Sequence, residues 1–431
     1  MIISNTVKMT ATYVISRDEN FQNVVGENCD MTSLKFCKNN YVTKNNQNYK
    51  VLRYDKNYLT FDVVPTQGLF RSVIVNQEKK VVCFAPPKSY SIDTFTTMYP
   101  DRTEDIVAEE FVEGTMINVF WDPSAGLSGC WEIATRNSIG GEVSFFKSGE
   151  SMTFRAMFME AANDVNLDIN TLNRNYCYSF VLQHPKNRIV VPFKTSAIIL
   201  TNVYEICNTE DGSITVSCID IEEVKKTKDL SITNVSYPER IMEWSSYTDL
   251  KNNYASMNTR YDVLGVVIYN TKTGVRTKMR NPTYENVRQL RGNQPKLQYQ
   301  YLSLRKSGSV GEYLKYYPEH KKEFSSFRDN MHKFTNTLYQ NYISCYIKKE
   351  RVLKEFPDNF RTHMFNIHRN YIDELKPNGG YVNNSFVINF VNDMPVTLQM
   401  YSLNFSMRQR KTDIDSIQLE QNQEKEPCVD I

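Results

Sequence analysis

Lys278 and Arg280 stand two residues apart in the run GVRTKMR, inside a stretch rich in Val, Ile and Thr. On a β-strand, residues i and i+2 project from the same face, so both cations can converge on one anion. The chemistry such a pair suits is phosphate binding, and Arg adds bidentate geometry to charge. Few other side chains point to chemistry by type and spacing. Five His are too few to support a Ser/His/Asp relay. His363 and His368 are five apart, which sets them on different helix faces, so they do not make a metal pair. The nine Cys are scattered without any C-x-x-C, which fits reduced thiols and argues against a structural zinc site. No G-x-x-x-x-G-K-[ST] phosphate loop occurs. Lys348, Lys349 and Arg351 close a helix-like run, where they complement the helix dipole.

The elements that must position these residues follow from composition and pattern. The chain has 431 residues, 41% of them hydrophobic, with 51 Lys+Arg against 49 Asp+Glu and a net charge of +2. The length allows two or three domains, and the near balance of charge excludes a global basic coat for nucleic acid. Any RNA contact must come from a local patch, and no DNA-specific signal is present. The Asn- and Lys-rich bias fits an AT-rich source. From about 51 to 290 short runs bounded by Gly, Pro, Asn or Asp predict strands: LTFDVV, FRSVIV, KVVCFA, MINVFW, WEIAT, YSFVLQ, RIVVPF, AIILTNVYEI and ITVSCIDI. SMTFRAMFMEAANDVN and PERIMEWSSYTDLKNNYASM carry apolar residues at helical spacing and predict helices. Beyond Leu290 the pattern is helical, with Phe324, Phe327, Met331, Phe334, Leu338 and Tyr342 on one face.

The expected organisation is an N-terminal lobe (1–50), an α+β domain (51–290), a helical domain (291–410) and a polar tail (411–431). No apolar run reaches the roughly 18–20 residues a bilayer span needs. The first residues do not read as a secretory leader, so a reducing, cytoplasmic setting without membrane contact is expected.

The order of segments over 65–291, roughly half the chain, carries more than any one of them. FRSVIV, VVCFAPPKSYSIDTF, EEFVEGTMINVFWD, WEIATRNSIGG, YSFVLQHPKNRIVVPF and DVLGVVIYNTKTGVRTKMRNPTYENVRQLRG resemble, in succession, the phage-type ATP-dependent RNA ligases of the covalent nucleotidyltransferase superfamily. The resemblance implies an antiparallel-sheet nucleotidyltransferase core, ATP-grasp-like in its ligase layout, followed by an all-helical C-terminal domain. It also suits a large DNA virus as source.

In that family a Lys in K-x-D-G attacks the α-phosphate of ATP, with Mg²⁺ bound by carboxylates. Here the tetrad falls on Phe111-Val112-Glu113-Gly114. The family's ribose-seating Glu falls on Val181, and its metal-binding Glu, in E-G-V-V, falls on Leu264 before Gly265. Phe has no lone pair, so no phosphoramide can form at 111. Arg71, Lys88, Arg136, Lys278 and Arg280 match the family's basic, phosphate-contacting positions. The resemblance therefore implies a basic cleft without nucleophile or bound cofactor, a pseudoenzyme that holds RNA ends, or a protein partner through the helical domain.

Other readings stay open at this level. Lys88 or Lys147 can serve as a displaced nucleophile, with ATP and Mg²⁺ as cofactors and Glu109, Glu110 or Glu113 as metal carboxylates. The chain can also be a structural or assembly protein of a virion. Residue by residue, Glu113-Gly114 also reads as a solvated turn, Lys278 and Arg280 as a solvated strand face, and Phe111 as a core aromatic.

Overall fold

The computed structural model describes residues 9–17, 21, 36–43, 46–145 and 152–407. Lys147 and the segment 411–431 lie outside them. The chain divides into two compact units, Met1–Gln289 and Leu290–Ile431.

Three antiparallel sheets build the first unit. The largest has six strands in the order β1 (Met9–Val14), β11 (Ile214–Ile219), β10 (Ala197–Asn208), β9 (Tyr176–Gln183), β7 (Thr115–Asp122) and β8 (Cys130–Thr135). The second holds β2 (Phe36–Val42), β3 (Asn48–Tyr54), β4 (Val73–Val75) and β5 (Val81–Phe84). The third, which carries Lys278 and Arg280, is ordered β13 (Arg276–Arg280), β12 (Gly265–Asn270) and β6 (Ile106–Glu110).

Strand alternation decides which faces are buried. On the large sheet Ile117, Val119, Tyr178, Phe180, Leu182 and Leu200 pack against Met157, Phe158, Ala161 and Ala162 of helix α2 (Phe154–Asp164). Thr153 starts that helix, its Oγ1 accepting from the Ala156 amide at 3.1 Å. On the small sheet Ile106, Ala108, Val266, Ile268 and Met279 pack against Phe95 of α1 (Ile92–Met98), Trp244, and Leu250 of α3 (Tyr247–Tyr254). The period of two then sends Glu109, Tyr269, Arg276 and Lys278 to the opposite face. Helix α4 spans Pro282–Arg291.

Three sequence expectations fail locally, each for a visible reason. LTFDVV is not a strand: Phe61–Val63 form a 3₁₀ turn and Val64–Gln67 a short helix, with Pro65 in its first turn. Proline has no N–H for a ladder and is preset for a helix start. RIVVPF forms no strand either, because the Val190 and Val191 amides donate to the Glu113 carboxylate and Pro192 has none to give. In PERIMEWSSYTDLKNNYASM only Tyr247–Tyr254 is helical. Arg240 instead bridges Glu109 on the edge of the small sheet, and Ser246 caps the helix that follows.

The second unit is helical throughout its described elements. Its α-helices are α5 (Leu297–Lys306), α6 (Val310–Tyr316), α7 (Lys321–Tyr342), α8 (Asp358–Asn370), α9 (Asn384–Asp393) and α10 (Val396–Leu403), with short 3₁₀ and π segments between them. On α7, Phe324, Met331, Phe334, Leu338 and Tyr342 are buried at three-, four- and seven-residue steps. Pro357 precedes α8. The His363 Nε2 and Ser402 Oγ share a hydrogen bond of 2.8 Å that ties α8 to α10. No helix among the described residues is long and apolar enough to cross a membrane. The architecture is α+β with antiparallel sheets, followed by a helical region.

Candidate functional site

Phe111 leaves the end of β6 with its amide donating to the Gly265 carbonyl at 3.2 Å. Its ring lies under the third sheet's free face. Lys278 Nζ stands 4.1 Å from the ring centroid, and the Arg280 guanidinium 5.4 Å. The glycines beside this point are needed because strands close in on them. A Cβ on Gly265 (φ +132°) would sit 2.0 Å from the Met279 carbonyl oxygen. On Gly114 (φ +148°) it would sit 2.4 Å from that of Leu182 and 2.6 Å from Val181 Cγ1. Both φ values also strain any side-chain-bearing residue.

Hydrogen bonds between segments far apart in sequence bring other cations to this place. The Lys88 amide donates to the Gly68 carbonyl at 2.9 Å, tying the loop after β5 to the turn that carries Arg71. Two residues on, the Tyr90 amide donates to the Arg276 carbonyl at 2.8 Å, and Thr277 Oγ1 donates to the Tyr90 carbonyl at 3.0 Å. The same loop is thereby pinned to β13. Arg136, just past β8, lies over the Tyr54 ring at 5.5 Å. Arg71 feels both Arg276 and Arg136, and Lys88 feels Arg71 and Arg280.

The electrostatics follow from burial and like charge. Burial, then Arg276, push Arg71 down to about 10. Burial and then Arg71 lower Lys88, whose Nζ donates to the Ser89 carbonyl at 2.7 Å. Lys278 is affected most. Burial, with Arg276, Arg71, Arg280 and Lys88 around it, pushes its amine down to about 5. Arg280 is paired with Glu285. Among the described residues no carboxylate forms an ion pair with Arg71, Lys88, Arg136, Arg276 or Lys278. Gln67 Oε1, Ser72 Oγ and Arg136 Nε, on the same segments, are buried polar atoms without a partner. Burying unpaired like charges is costly, and an anion removes the cost.

Val181 and Leu264 occupy the adjoining walls. Val181 packs with Val112 and Ile199. Leu264 is buried. With Phe111 it lines a cavity of about 740 Å³ whose charged walls are Glu110, Glu113, Glu239, Glu243 and Asp262 against a single Arg240. Glu113 is not solvated, as a bare turn would have it. It is buried, its carboxylate accepting from the Val190 amide at 2.8 Å and the Val191 amide at 3.1 Å. Its role here is to fix the 190–191 segment. Burial raises its pKa, and these amides oppose the rise.

Glu109 faces a second cavity, of about 550 Å³, with Arg240, Tyr269 and Arg276 on its walls. Burial raises Glu109 to about 7, against the pull of Arg276 and the Tyr269 hydroxyl, which donates to Oε2 at 3.3 Å. No group of three or more His, Cys, Asp or Glu among the described residues is arranged to hold a metal ion.

The structure thus sets Arg71, Lys88 and Arg280 within electrostatic reach of Lys278, and Arg136 within reach of Arg71. It adds Arg276, which the sequence reading passed over. Its signal was available, because the alternation linking 278 to 280 extends back to 276.

The geometry is thus an α+β unit with antiparallel sheets, a helical region after it, and a cluster of cations on β13 and the segments pinned to it. Comparison with known proteins then gives the following. No family model matches the chain. The "RNA ligase" of Rhodothermus phage RM378 is 31% identical over 104 residues, which are 22% of this chain and 22% of that protein. The match therefore spans about a fifth of the curated relative, and over that segment the chain is RNA ligase-like. Among solved structures, an archaeal ATP-dependent RNA ligase superposes with a TM-score of 0.36 at 13% identity, covering 82% of each chain. A Naegleria gruberi RNA ligase mutant with ATP and Mn gives 0.34 at 11% identity, over 48% of this chain and 58% of that one.

Proposed function

We propose that this protein is an RNA ligase-like binder of phosphorylated RNA ends, its cleft gripping phosphate over Phe111 without forming the lysine–nucleotide bond at that position. The single observation that carries the reading is the cluster of mutually repelling cations Arg71, Lys88, Arg276 and Lys278, with no carboxylate ion-paired to them among the described residues and with Lys278 set 4.1 Å from the Phe111 ring. Like charges brought this close repel one another, and an anion between them would relieve that repulsion. Phe111 supplies no nucleophile, and the positions that the resemblance assigns to a ribose-seating and a metal-binding carboxylate are Val181 and Leu264.

The test is binding of a short single-stranded RNA, with and without a 5′-phosphate, across a salt series. Affinity should fall with log[salt] at a slope of roughly −0.7 for each phosphate neutralised. Arg71→Ala and Arg276→Ala should each weaken binding several-fold and flatten that slope. Absence of RNA binding at low salt would favour a structural or assembly role instead.

One observation favours a second reading, an ATP-dependent nucleotidyltransferase with a relocated nucleophile. The uncharged amine of Lys278 has the protonation state an attack on phosphorus needs. Lys88, whose Nζ is engaged by the Ser89 carbonyl, suits the task less well. Incubation with α-labelled ATP and Mg²⁺ separates the two readings, since a hydroxylamine-sensitive adduct that maps to Lys278 belongs to the second alone.

A further inference from the structure

Two cysteines from different sheets meet in the core of the first unit. Cys83 is the third residue of β5, in the four-stranded sheet, and Cys177 the second of β9, in the six-stranded sheet. Strand alternation aims both into one layer. They share a buried cluster with Tyr49, Val51, Ile74, Phe120, Ala134 and Ile139, while their chain neighbours Phe84 and Tyr178 pack into other clusters. The two Sγ atoms stand 3.5 Å apart across 94 residues of chain, and Cys177 Sγ lies 3.6 Å from the Phe84 carbonyl oxygen. Among the described free cysteines, which include Cys130, Cys207, Cys218 and Cys345, this pair alone has its sulfurs within hydrogen-bond distance. A lone buried cysteine serves as a small apolar side chain. Packing by itself asks for no second sulfur at the contact.

We propose that Cys83 and Cys177 are a redox pair, which a hydroperoxide converts to a disulfide that fastens the four-stranded sheet to the six-stranded one. A disulfide of about 2.05 Å needs the sulfurs to close by about 1.5 Å, a shift shared by two side chains. With hydrogen peroxide, the thiolate of one cysteine attacks an oxygen, the O–O bond breaks, and a sulfenic acid and one water result. The thiolate of the other attacks that sulfur, the S–S bond forms, and the expelled hydroxide leaves as a second water. Two thiols are oxidised and one peroxide is reduced. Cys83 and Cys177 are 0% and 1% exposed, so the peroxide reaches them only when the layer between the sheets opens. Burial also raises the Cys83 thiol, which keeps its thiolate scarce. Oxidation is therefore slow, and the bond it makes resists the opening that admitted the peroxide. β5 runs on to the loop of Lys88, and β9 carries Val181 and Gln183, so the fastened strands are those that deliver two sides of the candidate site. A dithiol reverses the step by thiol–disulfide exchange. The pair is independent of what the cations bind.

The test treats the reduced full-length protein with hydrogen peroxide over a time course, blocks remaining thiols with N-ethylmaleimide, and maps peptides by mass spectrometry without reductant. The expected product is a peptide pair joining Cys83 to Cys177, lighter by two hydrogens than its separate parts. It should form more slowly than oxidation of the exposed Cys207 and disappear in dithiothreitol. The linked protein should melt about 10 °C above the reduced protein, the gain expected for closing so long a loop, and lose that gain in dithiothreitol. Cys83→Ala and Cys177→Ala, treated alike, should show neither the linked peptide nor the rise. Should either variant not fold, the wild-type peptide map still decides. Absence of the Cys83–Cys177 peptide once Cys207 is fully oxidised overturns the proposal. So does linkage of either residue to a different cysteine, linkage that appears only when urea precedes the peroxide, or a linked protein that melts no higher than the reduced one.

Discussion

Lys278→Met should stabilise the first unit, which is unusual for removal of a charged-type residue near a functional cleft. The folded amine titrates near 5 against an ordinary 10.5. At pH 7 the unfolded chain carries the proton and the folded chain does not. Expressed in full, that difference costs about 5 kcal/mol. Lys278 is half-buried, and solvent reaching the side chain screens part of the effect, so a gain of about 2 kcal/mol is the working figure. Met also keeps an unbranched chain against the Phe111 ring, where a thioether packs well.

The pH dependence separates this cause from simple repacking. Between the folded value and 10.5 the folded state holds one proton fewer than the unfolded state. Wild-type stability therefore rises with pH through that window, by up to about 1.4 kcal/mol per unit. The variant lacks this contribution, so its advantage is largest at about pH 5 and below and shrinks as pH rises. Guanidinium unfolding followed by tryptophan fluorescence reports on the correct unit, because Trp121, Trp131 and Trp244 all lie within Met1–Gln289. A variant no more stable than wild type, or one whose advantage stays constant from pH 6 to 9, would refute the account of the cation cluster.

Glu109→Gln should show the opposite trend. Its carboxyl is raised to about 7, so the substitution gains up to about 3 kcal/mol above pH 7 and nothing below about pH 4.5, as thermal melts at pH 4.5 and 8 would record. Gly265→Ala should cost more than about 3 kcal/mol, given a Cβ 2.0 Å from the Met279 carbonyl oxygen and a φ of +132°. Circular dichroism should show loss of the cooperative transition. Glu113→Ala leaves the buried Val190 amide without its acceptor and should cost about 1–3 kcal/mol in denaturant unfolding. Phe111→Lys should lower the melting temperature by adding another cation to the cluster. It should yield no covalent adduct with labelled ATP and Mg²⁺, since Leu264 still stands where the family resemblance would require a metal-binding carboxylate.

The parts legible in the sequence are those set by local period. The strands β7, β9 and β10 show as short runs rich in Val, Ile, Phe and Tyr, and the long helix α7 shows as three-and-four spacing. Lys278 and Arg280 could be paired for the same reason. The run 238–246 misled because Ile241 and Trp244 are three apart and mimic a helix face, whereas tertiary pairing of Arg240 with Glu109 holds the segment extended. Arg71, Lys88 and Arg136 could be named only through the family resemblance. Nothing local connects a turn, a loop and a strand end, and the bonds that join two of them to β13 run through Gly68 and Tyr90. Glu113 and Val190 are 77 residues apart, so the diversion of the 190–191 amides from a strand ladder had no sequence signal.

The energetics of the cleft are asymmetric, and the asymmetry bears on function. Phe111 and Val181 cost nothing to keep: one fills space beneath the cations and the other packs with Val112 and Ile199. The cations are a standing liability. Neutralising Lys278 or Arg71 would remove like-charge repulsion and partial desolvation without opening a core cavity. Groups that destabilise a fold and have no internal partner are expected where a ligand supplies the missing charge. A scaffold freed of every binding task would gain by losing them. On the proposed reading, the cations beside the Phe111 ring are kept because an anion would supply the charge the fold does not.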